Sequence, residues 1–179
     1  MSMRRLRRAE VQSGLLLALV LLVSACATAP RLPPQAMGLA RSPAVVASDR
    51  SRGAAVADLA SAQLGQPYRY GGDSPQGFDC SGLALFVHQQ LGLALPRTAL
   101  QQRQDSLPLD QADLLPGDLV FFTMGPRLLV DHVGIYVGNA RFIHAPRAGS
   151  PVRIASLGDR SFARRFAGGG RYWKVDDAP

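Results

Sequence analysis

The spacing of apolar residues changes once along this 179-residue chain, and that change restricts the fold more than any other feature. Val56, Leu59, Ala60, Gln63 and Leu64 fall at helical spacing and stop at Gly65, and Leu83, Val87 and Leu91 do the same before Gly92. A third, short helix is expected over Ala99 to Asp105. After Pro116-Gly117-Asp118 the pattern becomes Leu119-Val120-Phe121-Phe122, then Val133-Gly134-Ile135-Tyr136-Val137, then Arg141-Phe142-Ile143, and these segments read as strands. Val152-Arg153-Ile154 is a further candidate strand. Helices first and strands later imply an α+β domain with helices packed on a mostly antiparallel sheet.

The N-terminus reads as an export address. Arg4, Arg5, Arg7 and Arg8 precede an apolar run from Leu15 to Val23 that ends in Ser24 and Ala25, the layout of a secretory signal over residues 1–25. That run is too short to span a membrane comfortably as a helix. Cys26 follows Val23-Ser24-Ala25, which resembles the lipobox of bacterial lipoproteins, and the resemblance implies cleavage before Cys26 and lipidation of its sulfur. Residues 26–52 are rich in Pro, Ala, Ser and Arg, with Pro30, Pro33, Pro34 and Pro43 breaking any period, so a flexible tether is expected. Residues 53–179 remain for one small domain with its own core.

Removing residues 1–25 takes away four Arg and one Glu and lowers the formal charge from +7 to +4. Such a mild excess suits an anionic wall or lipid surface, and export argues against nucleic acid as a partner. A disulfide between Cys26 and Cys80 is the ordinary expectation for two cysteines in an exported chain, but lipidation of Cys26 would forbid it. Cys80 would then be a lone thiol in an oxidising compartment, a situation that calls for a use of its reactivity.

Cys80 stands in Phe78-Asp79-Cys80-Ser81-Gly82, where the second amphipathic helix is expected to begin. A helix N-terminus offers unpaired N–H groups and partial positive charge, both of which favour a thiolate. A buried structural cysteine is the alternative, and the small, polar neighbours disfavour it. His132 opens one expected strand and His144 nearly closes the next. A thiol nucleophile needs an imidazole to move its proton, and the imidazole needs a partner to fix its tautomer.

Whether the two histidines can meet depends on the turn between their strands. A two-residue turn at Gly138-Asn139 or Asn139-Ala140 puts them on opposite faces of the sheet. A three-residue turn over Gly138, Asn139 and Ala140 pairs Gly134 with His144 and puts both imidazoles on one face, as diagonal neighbours about 7 to 8 Å apart at the backbone. The three-residue turn is the predicted one. His88 lies in the helix after Cys80 and is expected at the surface. One Cys and two widely spaced His without a fourth ligand do not make a structural zinc site, so neither a metal nor a cofactor is expected.

The blocks Tyr68-Arg69-Tyr70-Gly71-Gly72, Phe78-Asp79-Cys80-Ser81-Gly82-Leu83, Leu115-Pro116-Gly117-Asp118-Leu119, His132-Val133-Gly134-Ile135-Tyr136 and Phe142-Ile143-His144-Ala145 resemble the NlpC/P60 family, and most closely its lipoprotein branch of murein endopeptidases. The resemblance runs from residue 54 to about 166. It implies a papain-like fold with Cys80 as nucleophile, His132 as base and acid, and His144 orienting His132. It also implies that Tyr68 helps the Cys80 N–H stabilise the oxyanion. Asp79 and Ser81 match positions that hold the free amine of a peptide stem in some relatives, although on composition alone helix capping is the favoured reading.

The implied substrate is peptidoglycan, cut at a bond to meso-diaminopimelate either in the stem or in the cross-link. The implied location is the periplasmic side of the outer membrane, reached through a lipid anchor at Cys26. A wall-binding lipoprotein that grips stems without cutting them is the alternative, as is acyl transfer through the same thioester. Thr123 to Val130, with Pro126 and Arg127, is expected to form a loop shaping the substrate groove. The closing stretch Ser161-Phe162-Ala163-Arg164-Arg165-Phe166 has Ser-Phe where the family often has Tyr-Trp, and Gly168-Gly169-Gly170 follows it.

Overall fold

The computed structural model describes residues 43–126 and 129–173. The expected signal sequence, Cys26 with its expected lipidation, and the expected tether up to residue 42 lie outside these residues. The first helix, α1, spans Pro43–Ser61 and so begins before the boundary expected near residue 53. Pro43 suits a first helical position, where its missing N–H would go unpaired in any case. A small hairpin follows, β1 (Asp73–Ser74) and β2 (Gly77–Phe78), and then α2 (Cys80–Gln89) and α3 (Ala99–Asp105). The remaining elements are β3 (Leu107–Leu109), β4 (Leu119–Phe122), β5 (His132–Gly138), β6 (Arg141–His144), β7 (Arg153–Ser156), the single turn α4 (Arg160–Ala163) and β8 (Phe166–Arg171). Among the described residues no helix is long and apolar enough to cross a membrane.

The architecture is α+β. Six strands form one sheet in the order β3-β8-β4-β5-β6-β7, and every neighbouring pair is antiparallel. Alternation along the central strands divides the apolar side chains between two faces. Leu119, Phe121, Val133, Ile135 and Ile143 pack with Val56 and Ala60 of α1 and with Leu83, Ala84 and Val87 of α2. Val120, Phe122 and Phe142 pack on the other side with Leu114, Leu157 and Phe162. β4 is buried along its whole length because it is covered on both faces.

An ion pair fixes how β4 and β8 lie together. Asp118, just before β4, is fully buried and receives two bonds from Arg171, Nε to Oδ1 and Nη2 to Oδ2, each 2.8 Å, and a third from the Leu115 N–H at 2.7 Å. A bidentate guanidinium with an added backbone donor satisfies a carboxylate that would otherwise be costly to bury. Burial pushes the Asp118 carboxyl up, and Arg171 opposes that shift.

Two segments differ from expectation. The run Gly168-Gly169-Gly170, which carries no strand signal, lies inside β8 between β3 and β4. A methyl at Gly170 would strike Ser106 and the Phe121 ring, and one at Gly169 would lie 2.6 Å from a Leu114 methyl, so only glycine lets these groups close over the strand. His88, expected at the surface, is fully buried. Its Nδ1 lies 2.9 Å from the Ala84 carbonyl, its ring stacks on Trp173 at 6.3 Å, and Tyr172 meets it edge-on at 5.9 Å. Tyr172 and Trp173, directly after β8, thus cover this side of the helix.

Burial pushes the His88 imidazole down to about 4. The neutral ring therefore favours the folded state fully above the ordinary histidine value near 6.5, and this contribution is lost as pH falls from there toward 4. His88→Leu should remove on the order of 3 kcal/mol of that dependence, read as a shallower fall in urea-unfolding free energy between pH 6.5 and 4. Parallel pH slopes in the two proteins would contradict the assignment.

Candidate active site

The turn between β5 and β6 decides where the histidines point. Gly138 pairs with Arg141 across a two-residue turn, Asn139-Ala140, with φ of 53° and 55° at its centre. This corrects the predicted three-residue turn. Positive φ at both central residues is the signature of a type I′ turn, which Asn favours and Ala does not, so the sequence hides it. Tyr136 nevertheless pairs with Phe142 and Ile135 with Ile143, which leaves Val137 as an extra residue, a β-bulge. The bulge restores the register in which Gly134 faces His144, and the two imidazoles share a face. His132 Nε2 and His144 Nδ1 are 2.8 Å apart, with the rings edge to face.

Both rings are buried, and phenylalanines surround them. Phe122 lies beside His132, while Phe142 and Phe162 meet the His144 ring edge-on at 5.1 and 5.4 Å. Burial pushes His132 down to about 4, partly opposed by the charge of Asp131, and pushes His144 down to about 3, aided by His132 and Arg153. At neutral pH the pair is therefore uncharged, so one nitrogen of the 2.8 Å contact donates and the other accepts. Among the described residues, His144 Nε2 is buried without a hydrogen-bond partner.

Cys80 is the first residue of α2, and Asp79 is its N-cap. Asp79 Oδ1 accepts from the Gly82 N–H at 2.7 Å, and Oδ2 accepts from the Gly71 N–H at 3.0 Å. The glycines of both motifs serve this junction, since a methyl at Gly82 would strike the Gly72 backbone. The loop carrying Tyr68 is bonded to β2, with the Arg69 N–H to the Phe78 carbonyl at 2.9 Å and the Phe78 N–H to the Pro67 carbonyl at 3.0 Å. With both imidazoles neutral, burial pushes the Cys80 thiol up to about 11, while the N–H groups of Val133, Ser81 and Cys80 pull it down. The helix N-terminus thus acts as expected but does not prevail over desolvation. Removing the thiol proton falls to a base.

Cys80, Tyr68 and Asp131 stand between two hollows. One, of about 390 Å³, is lined by His132, His144, Met124, Arg147, Arg153 and Phe162 among others. The other, of about 480 Å³, is lined by Asp79, Ser81, Tyr70, Arg97 and Val130 among others. The structure thus brings Cys80, Tyr68, His132 and His144 together around the first hollow, with Asp79 and Ser81 in the second. Met124 and Val130 of the expected loop, and Asp131 directly after it, line these hollows, and both Asp131 oxygens are held by loop amides, Met124 at 2.6 Å and Gly125 at 2.7 Å. Among the described residues no group of three His, Cys, Asp or Glu is arranged to hold a metal ion.

Sequence reasoning missed Arg97. Its Nη1 donates to Asp79 Oδ1 at 3.0 Å and to Ser81 Oγ at 3.0 Å, and its Nη2 donates to Asp79 Oδ2 at 2.6 Å. It also missed Gln102, which is buried and donates to the Ser81 carbonyl at 3.0 Å, tying α3 to the first turn of α2. Neither residue sits in a periodic or catalytic pattern. Asp79→Ala removes the cap and the Gly71 contact together and should cost about 1–2 kcal/mol, whereas Arg97→Ala, at a partly exposed pair, should cost about 1 kcal/mol or less. Urea unfolding of the two variants would check that order.

The sequence model of the NlpC/P60 family matches residues 65–171. The chain is 44% identical over 113 residues to murein DD-endopeptidase MepH of Escherichia coli, a match covering 61% of this chain and 42% of that protein. It is 40% identical over 113 residues to the probable endopeptidase YafL of the same organism, covering 61% of this chain and 45% of that one. The chain thus spans less than half the length of these relatives. Among solved structures, an NlpC/P60 family protein from Bacillus cereus superposes with a TM-score of 0.64 at 33% identity, over 68% of this chain and 40% of that one.

Proposed function

This chain belongs to the NlpC/P60 family, and on that premise we propose that it is an exported cysteine endopeptidase that hydrolyses peptide bonds of peptidoglycan. The observation that carries the proposal is the 2.8 Å contact of His132 with His144 beside the hollow that Cys80 lines. In the proposed reaction Cys80 Sγ attacks the carbonyl carbon while His132 takes the thiol proton. For His132 to accept at Nδ1, its Nε2 must carry the hydrogen and donate to His144 Nδ1. His144 then holds the ring and its tautomer, the role of the third member of a triad. The Cys80 N–H and the Tyr68 hydroxyl face the developing oxyanion. Collapse to a thioester expels the amine, which takes the proton from His132, and water, activated by the same imidazole, releases the acyl half.

The similarity to a murein DD-endopeptidase of Escherichia coli supports the cross-link as the bond cut. Bonds to meso-diaminopimelate are the proposed targets. A lipid anchor at Cys26, holding the domain at the periplasmic face of the outer membrane, completes the proposal and rests on the Val23-Ser24-Ala25-Cys26 pattern.

Incubation of purified peptidoglycan with the reduced full chain, followed by chromatography and mass spectrometry, tests the proposal. Cross-linked dimers should fall to monomers. Cys80→Ala should lose on the order of 10⁴-fold or more of the rate with an unchanged thermal transition, and His144→Ala about 10²-fold. Hydrolysis retained in Cys80→Ala would overturn the assignment of the nucleophile. Because His132 is neutral down to about 4, kcat/KM should stay level as pH falls from 7 to about 5 and decline only as that imidazole becomes charged. An acid limb centred near 6.5 would show that His132 is not held as described.

A further inference from the structure

The two hollows beside Cys80 are electrically unlike. In the one built on the α2 N-terminus, Arg97 is committed to Asp79 and Ser81, and the Asp79 carboxylate receives those bonds together with two backbone N–H groups. In the other, two cations are uncommitted. Arg147 and Arg153 line the hollow of His132 and His144, both are exposed, and among the described residues neither guanidinium has an ion-pair or hydrogen-bond partner. The acid lining that hollow, Asp131, already has both oxygens on the Met124 and Gly125 amides.

The positions of these arginines are fixed by the backbone. Arg153 of β7 pairs with His144 of β6, and residues directly opposite in an antiparallel pair project from the same face. Arg147 opens a tight turn closed by the Ser150 N–H on its carbonyl at 3.1 Å. Both line the hollow, one from a strand and the other from the adjoining turn.

Chemistry assigns this hollow to one half of the substrate. The expelled amine takes its proton from His132, so the leaving half lies on the histidine side and the acyl half on the helix side. We propose that Arg147 and Arg153 receive a carboxylate of the leaving half, the one on the carbon that bears the released amine, and thereby select diaminopimelate in its free acid form. In a diaminopimelate cross-link that carbon carries a carboxylate. In a lysine cross-link it carries only hydrogen, and in amidated diaminopimelate a neutral carboxamide. Guanidinium groups pair with planar carboxylates through parallel bonds that a carboxamide cannot reproduce. This proposal rests on the peptidase reading, whose bond it specifies.

The test uses the full chain with Cys80→Ala, so that binding is read without turnover. The probes are the tripeptide L-Ala-γ-D-Glu-meso-diaminopimelate and the same peptide amidated on the side-chain carboxyl, titrated by calorimetry at low salt. The free acid should bind at least about 10-fold more tightly, and adding Arg147→Ala and Arg153→Ala should bring the ratio close to one. In the active chain the double variant should raise KM for diaminopimelate dimers and leave kcat nearly unchanged. Equal binding of the two peptides, no binding of either, or a preference that survives both substitutions would overturn the proposal. A preference with no cleavage of any peptidoglycan would retain the carboxylate site and reject the peptidase reading, so the two failures are distinct.

Discussion

The site depends on one extra residue. Without the bulge at Val137, the Asn139-Ala140 turn would place His132 and His144 on opposite faces of the sheet, and the 2.8 Å contact between them could not form. A bulge is a local departure from strand regularity that re-aims every side chain beyond it. Here it is combined with positive φ at Ala140, which an L-residue adopts at a cost of about 1 kcal/mol or more. The Ala140 carbonyl accepts from Leu157 and its N–H reaches the Tyr136 hydroxyl, so contacts on both sides hold the turn in that conformation.

Around this register the fold supplies two further fixed points. The Asp118–Arg171 pair ties the start of β4 to β8, and β4 in turn pairs with β5, with Phe122 directly opposite His132. Asp79 fixes the other half of the site by capping α2 and binding the Gly71 amide, which joins the helix that begins at Cys80 to the loop of Tyr68. Cys80 therefore comes from a helix end and His132 from a strand start. They meet where the Val133 N–H points at the sulfur. Burial at this junction keeps Sγ protonated and both rings neutral at neutral pH, so in the proposed reaction proton transfer accompanies the attack.

Local patterns in the sequence were legible wherever one residue type dictates one conformation. The short helix over Ala99–Asp105 is found with those bounds, because Thr98 caps it and Ser106 leaves helical geometry. The strands of the β4–β6 meander follow their apolar runs. What was hidden depends on contacts between distant segments. β8 reads as a glycine-rich tail until Ser106, Leu114 and Phe121 are seen to close over it. His88 reads as a surface residue until Tyr172 and Trp173 fold back on it. Arg97 and Arg147 lie in segments without period or motif, Arg153 lies in a short candidate strand, and the place of all three at the two hollows follows only from the folded chain. The histidine register was legible, but the bulge and turn that produce it were not, since Ala140 is a residue no turn rule selects.

The most direct test of this account is a nitrogen-15 NMR titration of the imidazoles in the full chain. The account predicts that at pH 6 both His132 and His144 are neutral, that His132 carries its hydrogen on Nε2, and that neither ring titrates until the pH approaches 4. A His132 ring that carries its hydrogen on Nδ1, or either ring titrating near 6.5, would contradict it.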